Sequence, residues 1–316
     1  MAQTFDIPGV YSDAAAMLNS EQLDFLDITA GPDEHAELVL LAAERATPVI
    51  CQKPMAPDFQ TCLRMVRACE RSNTPFFIHE NFRWQSPMRT IHAMLQEGRI
   101  GRPFRAHIQL SHGPIGLFEN QPYLYRRPHF ALEDMGPHLL DLARFFFGEP
   151  LQIYARQFNV NPRFVGEDIV AVFLGYQQLN CYCELTWAAE PYECFIEGER
   201  GSILWDGRTR VSVNNGEQTT VTELRPEPFT WADPSYGFAH PSIVAANRNI
   251  LAALRGEGTA ETTGRENLRT MWLLALALQS ATTGRALEVG SVNTIEQNGW
   301  DEMPNPAYPN PTNPLG

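Results

Sequence analysis

The sequence predicts an α/β chain: a short parallel sheet covered by helices, followed by an α+β region built on a large, mostly antiparallel open sheet. Three observations carry this. From Tyr11 to Phe82, short apolar runs alternate with helical patterns across brief links. After a helical stretch at Pro87–Gln96, strand-like runs gather and helices thin out. Among them, "LNCYCELTW" alternates cleanly, with Leu179, Cys181, Cys183, Leu185 and Trp187 on one face and Asn180, Tyr182, Glu184 and Thr186 on the other.

In order, "FLDIT" (Phe25–Thr29) reads as the first strand. The helix "DEHAELVLLAAERA" follows, with Leu38, Leu41 and Ala42 on its inward stripe and Asp33 placed as its cap. "PVICQ" (Pro48–Gln52) is the second strand, and "DFQTCLRMVRACERSN" a helix turning Phe59, Leu63, Val66 and Cys69 inward behind Asp58 as cap. "PFFIHE" (Pro75–Glu80) is the third strand. The runs Phe104–Leu110, Leu151–Phe158 and Ile169–Gly175 join the second sheet, and "TRVSVNNGEQTTVTEL" reads as a hairpin turning at Asn214-Asn215-Gly216. Helices are expected at Gly136–Phe147 and Glu266–Thr283. These elements divide the chain into residues 1–82, residues 83–290, and a Pro- and Asn-rich tail at 291–316 expected to be mobile.

Composition narrows the classes of function. Hydrophobic residues make up 44% and charged residues 19%, a soluble globular balance, and 316 residues is typical of two cores. A net charge of -13 with no basic cluster argues against nucleic-acid binding. No apolar run approaches the ~20 residues of a membrane span, and the N-terminus lacks the layout of a secretory signal, so the expectation is a cytoplasmic protein. The six cysteines include a C-x-C at Cys181 and Cys183, but no C-x-x-C and no His pair at ligand spacing. Structural thiols are expected rather than a metal site.

Two stretches could carry chemistry. "VICQKPMAPD" ends a strand in a lone Lys53 followed by a proline. Parallel sheets open their ligand crevices at the C-terminal ends of their strands, which is where Lys53 falls. In "EDMGPHLLDLARFFFGEP", Asp134 and His138 stand four apart, with Asp141 three further on and on the same helix face as His138. An imidazole with carboxylates beside it suits general base catalysis, since a carboxylate fixes the tautomer and steadies the imidazolium. By spacing alone the plainer reading is commoner: a strand exit at Lys53, and a helix start with a surface His138.

The stretches occur together and in order, and together they resemble the glucose–fructose oxidoreductase / inositol dehydrogenase family of NAD(P)-dependent oxidoreductases. "GPDEHAELVLLAAERATPVICQKP" is similar to that family's strand, His-bearing helix and Glu-Lys-Pro motif, with Gln52 in place of Glu. "ENFRWQSPMRTIHAMLQEGRIGRPFRAHI" resembles its Arg-x-x-Pro helix and linker, "DMGPHLLDLARFFFG" its Asp-x-Gly-x-His-x-x-Asp helix, and "IEGERGSILWDG" its Gly-x-x-Gly strand pair. The Gln-Lys-Pro variant and "HENFRWQ" look most like the branch acting on the branched pentose apiose.

The resemblance implies a Rossmann-type parallel sheet and hydride transfer between NAD or NADP and a sugar or polyol carbinol. It implies that Lys53 is catalytic and that Asp134 and His138 bind substrate and transfer its proton. Pro54 matches a proline often preceded by a cis peptide bond. Thr29, Ala30, Pro32, His35 and Gln52, with Lys53, match positions lining the cofactor's ribose and nicotinamide path. For the Pro32-Asp33 pair, a plain helix cap competes with that role. Arg83 and Trp84 match a pocket-lining pair, and Tyr123, Tyr125, Arg126 and Arg127 lie in a loop that could reach sugar hydroxyls. His138, with an ordinary pKa near ~6.5, suits the proton acceptor at neutral pH. Lys53 would stabilise the alkoxide as an ammonium or serve as a neutral base. The open sheet implies a homo-oligomer.

One family motif is not in the sequence. The first strand, its G-x-G-x-x-G turn and the following helix account for roughly 50 to 60 residues ahead of the segment that "FDIPGVYSD" resembles. "GEGTAE" (Gly256–Glu261) lacks the third glycine and a preceding strand. The Rossmann-type sheet is therefore expected to be incomplete, with pyrophosphate binding in doubt. Two readings follow: a truncated dehydrogenase, or a non-catalytic remnant keeping the β-sheet domain as an oligomerisation or sugar-binding module. Retention of Lys53, Asp134 and His138 together favours the enzyme.

Overall fold

The computed structural model describes residues 2–111, 121–187 and 193–290; the expected tail at 291–316 lies outside them. Three short strands, β1 (Leu26–Ile28), β2 (Val49–Gln52) and β3 (Phe76–His79), form a parallel sheet in the order β1-β2-β3. Their apolar side chains are almost continuous because helices cover the sheet. Helix α1 (Ala14–Ser20) precedes β1, and α2 (His35–Ala43) and α3 (Phe59–Arg71) make the crossovers.

Local chemistry explains most boundaries. Asp58 caps α3 as expected, its Oδ1 accepting from the Thr61 amide at 2.8 Å. Asp33 does not cap α2. Its carboxylate instead takes Nη1 and Nη2 of Arg127 at 3.1 and 2.9 Å, because a paired guanidinium offers two charge-assisted bonds where a helix amide offers one. The inward stripe of α2 is His35, Val39, Ala42 and Ala43, with Leu38 and Leu41 only partly buried.

After α4 (Ser86–Gln96) comes the second sheet. Its strands are β4 (Pro103–Ser111), β5 (Gln152–Phe158), β6 (Ile169–Gly175), β7 (Asn180–Thr186), β8 (Glu193–Gly198), β9 (Gly201–Trp205), β10 (Arg210–Asn214), β11 (Thr219–Glu223) and β12 (Leu287–Glu288). The order is β11-β10-β9-β8-β4-β7-β6-β5-β12, with β4 and β7 parallel and the other pairs antiparallel. The alternation in β7 holds: Cys181, Cys183 and Leu185 are buried and Tyr182 is exposed on the opposite face. All six cysteines are free and buried.

Between β4 and β5 lie α5 (Phe130–Asp134) and α6 (Gly136–Phe147). Helices α7 (Ala239–Leu254) and α8 (Gly264–Thr283) follow the strands. The sequence reading did not foresee α1, two turns of AAAMLNS, or α7, whose apolar residues are interleaved with Pro, Asn and Arg. Helix α8 starts two residues before the expected Glu266, where the Thr263 hydroxyl accepts the Glu266 amide. It also returns across the chain division expected near residue 82. Thr262 accepts the Ile78 amide at the free side of β3, and Trp272 packs on Phe59 of α3. One apolar cluster consequently runs through both sheets.

That return is tight at Gly264, where an added Cβ would stand 2.3 Å from the Phe76 ring. Gly264→Ala is expected to cost about 1–3 kcal/mol through forced displacement of Phe76. Urea unfolding checks this; an unchanged midpoint would remove the close contact from the account of how α8 seats on β3.

Candidate active site

A cavity of about 490 Å³ opens at the C-terminal ends of β1 and β2. Open α/β sheets place ligand crevices at this edge because the strand-to-helix loops diverge there. Thr29, Ala30, Gly31 and Pro32 leave β1 into its wall, and Gln52, Lys53 and Pro54 leave β2 beside them. Asp134 at the end of α5 and His138 in the first turn of α6 close it from the other side, with Tyr123 and Arg127 from the preceding loop.

Lys53 is tied across this gap. Its Nζ donates to the Asp134 carbonyl at 2.8 Å and to Asp134 Oδ1 at 2.9 Å, with both side chains mostly buried. The Lys53–Pro54 peptide is cis. The strand-end Lys53 and the helix-start His138 thus share one cavity.

The surroundings of His138 differ from expectation. Neither Asp134 nor Asp141 bonds its ring: Asp134 is taken by Lys53, and Asp141 by Nε and Nη2 of Arg83. The carboxylate facing His138 Nδ1 is Glu80, one residue past β3, in a very short contact. Phe82 stacks on the imidazole with centroids 3.7 Å apart and planes within 7°. Burial pushes the His138 imidazole well below its ordinary range, and the nearby Lys53 charge pushes it the same way. Burial raises the Glu80 carboxyl to about 7, against the opposing charges of Lys53 and Arg83. His138 is therefore not the ordinary imidazole expected from the sequence. A desolvated ring beside an ammonium resists gaining charge.

The cavity collects Thr29, Ala30, Pro32, Gln52, Lys53, Tyr123, Asp134 and His138. His35, Arg83 and Trp84 are not on its wall. The buried His35 ring ties two wall loops instead, Nδ1 lying 3.0 Å from the Pro54 carbonyl and Nε2 3.1 Å from that of Ala30. Arg83 is sealed against Asp141, and Trp84 lies under the Arg89 guanidinium, 4.0 Å from its ring centroid. A motif position can be read from sequence; whether a long side chain reaches the crevice or a buried carboxylate depends on what stands behind it. Tyr125 bonds Arg163 and Arg126 is exposed, so of the flagged loop group only Tyr123 and Arg127 reach the wall.

Glu80 was missed, although the logic that singled out Lys53 applied to it: a charged residue closing a buried parallel strand. Glu133, also on the wall and raised to about 7 by burial, was missed too. Tyr236 and Ala239 reach the wall from the start of α7, where no local pattern signals proximity.

Comparison with known proteins agrees with this geometry. Residues 1–80 match the oxidoreductase family with an NAD-binding Rossmann fold, and residues 88–204 match the GFO/IDH/MocA C-terminal domain. The chain is 36% identical to a D-apiose dehydrogenase of Paraburkholderia graminis, over 92% of this chain and 79% of that protein. It is 34% identical to a D-apiose dehydrogenase of Rhizobium rhizogenes, over 91% and 86%. An oxidoreductase from Agrobacterium radiobacter, solved with NAD+, L-tartaric acid and magnesium, superposes with a TM-score of 0.88 at 33% identity, covering 92% of this chain and 86% of that one. A Rossmann-type parallel sheet joined to a large mixed sheet, with a Lys–Asp pair and a His in the crevice between them, is thus accompanied by similarity along most of the sequence, and the chain belongs to the Gfo/Idh/MocA family of oxidoreductases.

Proposed function

We propose that the protein oxidises a carbinol of a sugar or polyol with NAD or NADP, a branched pentose of the apiose type being the first candidate. The observation that carries this is the Lys53 ammonium held on Asp134 in the same cavity as His138. The two D-apiose dehydrogenases among the relatives support the substrate class.

The cavity fits one end of such a cofactor. Its wall is largely apolar, with Pro32, Pro54, Phe82 and Trp187, and carries a few polar groups at the strand ends, which suits a flat ring and ribose hydroxyls. Thr29, Ala30, Pro32 and Gln52 would hold the ribose and nicotinamide. A glycine-rich strand-to-helix turn for the pyrophosphate is not among the described residues. The bound nicotinamide supplies the hydride acceptor.

This chain's residues supply the rest. Nζ donates to a carboxylate and a carbonyl oxygen and is held facing the cavity, where Lys53 stabilises negative charge on the reacting oxygen. Asp134 fixes the direction of that ammonium and presents a second carboxylate oxygen to a substrate hydroxyl. His138 has Nδ1 committed to Glu80, leaving Nε2 to take the hydroxyl proton. Phe82 holds the ring plane, and the apolar wall keeps water from weakening these charges.

The wild-type chain, supplied with NAD+ or NADP+ and a panel of pentoses, hexoses and inositols including D-apiose, is expected to form reduced cofactor, read by its near-ultraviolet absorbance. No reduction with any sugar or polyol would overturn the reading. Lys53→Met is expected to lower kcat/KM by about 10²–10⁴-fold by removing the charge that meets the developing alkoxide. Asp134→Asn leaves the carbonyl contact to Nζ intact and is expected to lose less, on the order of 10-fold. Equal losses in steady-state kinetics would show that Asp134 does more than orient Lys53.

A further inference from the structure

Glu80 is wholly buried just past the end of β3 and touches His138 Nδ1 through Oε1; it stands in the "HENFRWQ" stretch, but the resemblance assigns it no role. We infer that Glu80 stores the substrate proton: as His138 Nε2 takes it, Nδ1 passes its own proton to Glu80 Oε1, and the pair ends as neutral imidazole and neutral carboxylic acid. This rests on the dehydrogenase reading given above.

The step balances without electron transfer. The substrate O–H bond breaks and its electron pair stays on oxygen, facing Lys53. The Nε2–H bond forms as the Nδ1–H bond breaks, and the Oε1–H bond forms. Glu80 meets no substrate; it is a positioning residue that acts through His138.

Geometry supports the transfer. Nδ1 and Oε1 are directly hydrogen-bonded with both groups buried, and Phe82 stacks on the imidazole in the plane that faces Glu80. The Phe82 amide approaches the same Oε1 at a marginal 3.5 Å, and Oε2 has no hydrogen-bond partner among the described residues. A buried carboxylate with so few donors is poorly held as an anion, which favours its protonated form.

The charges facing the pair oppose burial at Glu80 and divide at His138. Lys53 from the end of β2, Arg83 from the turn after β3 and His79 from β3 itself act on Glu80. Lys53, Asp134 from α5, Asp141 from α6 and His79 act on His138. Asp141 is neutralised by Arg83, and Asp134 by Lys53. Burial therefore dominates, and it penalises a lasting imidazolium. Passing the proton onward to Glu80, whose carboxyl titrates at about 7, avoids that cost and places the acceptor near neutral pH.

Glu80→Gln tests this, because the amide keeps the size and a bond to Nδ1 but cannot accept the proton. The base must be deprotonated to work, so wild-type kcat/KM is expected to rise with pH through neutrality. In Glu80→Gln, His138 stands alone with its depressed affinity for protons. The rise is then expected to move to lower pH, with the plateau about 10²-fold lower. An active variant with the wild-type pH profile overturns the proposal, since a merely structural Glu80 would leave the profile in place. Infrared titration of the wild-type protein without ligands gives an independent reading. A carboxylic-acid carbonyl band that grows as pH falls through neutrality supports the proposal, and its absence overturns it even if Glu80→Gln does not fold. A wild type inactive on every sugar would defeat the proposed reaction and with it the substrate step of this inference. An inactive Glu80→Gln beside an active wild type, with no infrared band, would defeat the inference alone.

Discussion

An ammonium group at the end of a buried strand cannot leave water without an opposing charge, and Lys53 finds one 81 residues away on α5. That contact helps join the C-terminal edge of the parallel sheet to the helices covering the mixed sheet. It sets the width of the cavity between them. Helix α6 begins two residues after Asp134 and carries His138 in its first turn. The Asp33–Arg127 ion pair, nearer the surface, bridges the same two sides.

Behind this contact the molecule pairs its buried charges in layers. Arg83 holds Asp141, while Arg144 meets Glu149 and Glu266 and donates to Thr270 at 2.7 Å. These guanidinium pairs lie between α6, α8 and the turn after β3, so they anchor the helix that presents His138. Each is satisfied by a permanent cation, which keeps it in one charge state near neutral pH. Glu80 and His138 differ because neither brings a permanent cation. Their shared proton is the part of the network that can change as substrate reacts.

Legibility in the sequence follows the range of the interaction. Asp58 as a cap, the alternation in β7 and the span of α6 were readable because each depends on neighbours a few residues away. Asp33 was misjudged for the converse reason: its partner, Arg127, lies 94 residues on, and nothing local marks the pair. The same holds for Arg83, claimed by Asp141 58 residues on, and for His35, taken by the Pro54 carbonyl 19 residues on. Their motif positions were recognisable, but the groups that claim them come from a different turn and from α6.

The sequence by itself determined the fold class, the strand ends from which reactive groups leave, and the trio Lys53, Asp134 and His138. Hydrophobic periodicity, turn chemistry and motif order are properties of a linear string. Only the tertiary structure decided which carboxylate serves which cation. It gave Asp134 to Lys53, Asp141 to Arg83 and Glu80 to His138. Charge pairing in a dry interior is settled by distance and burial, and neither is written along the chain.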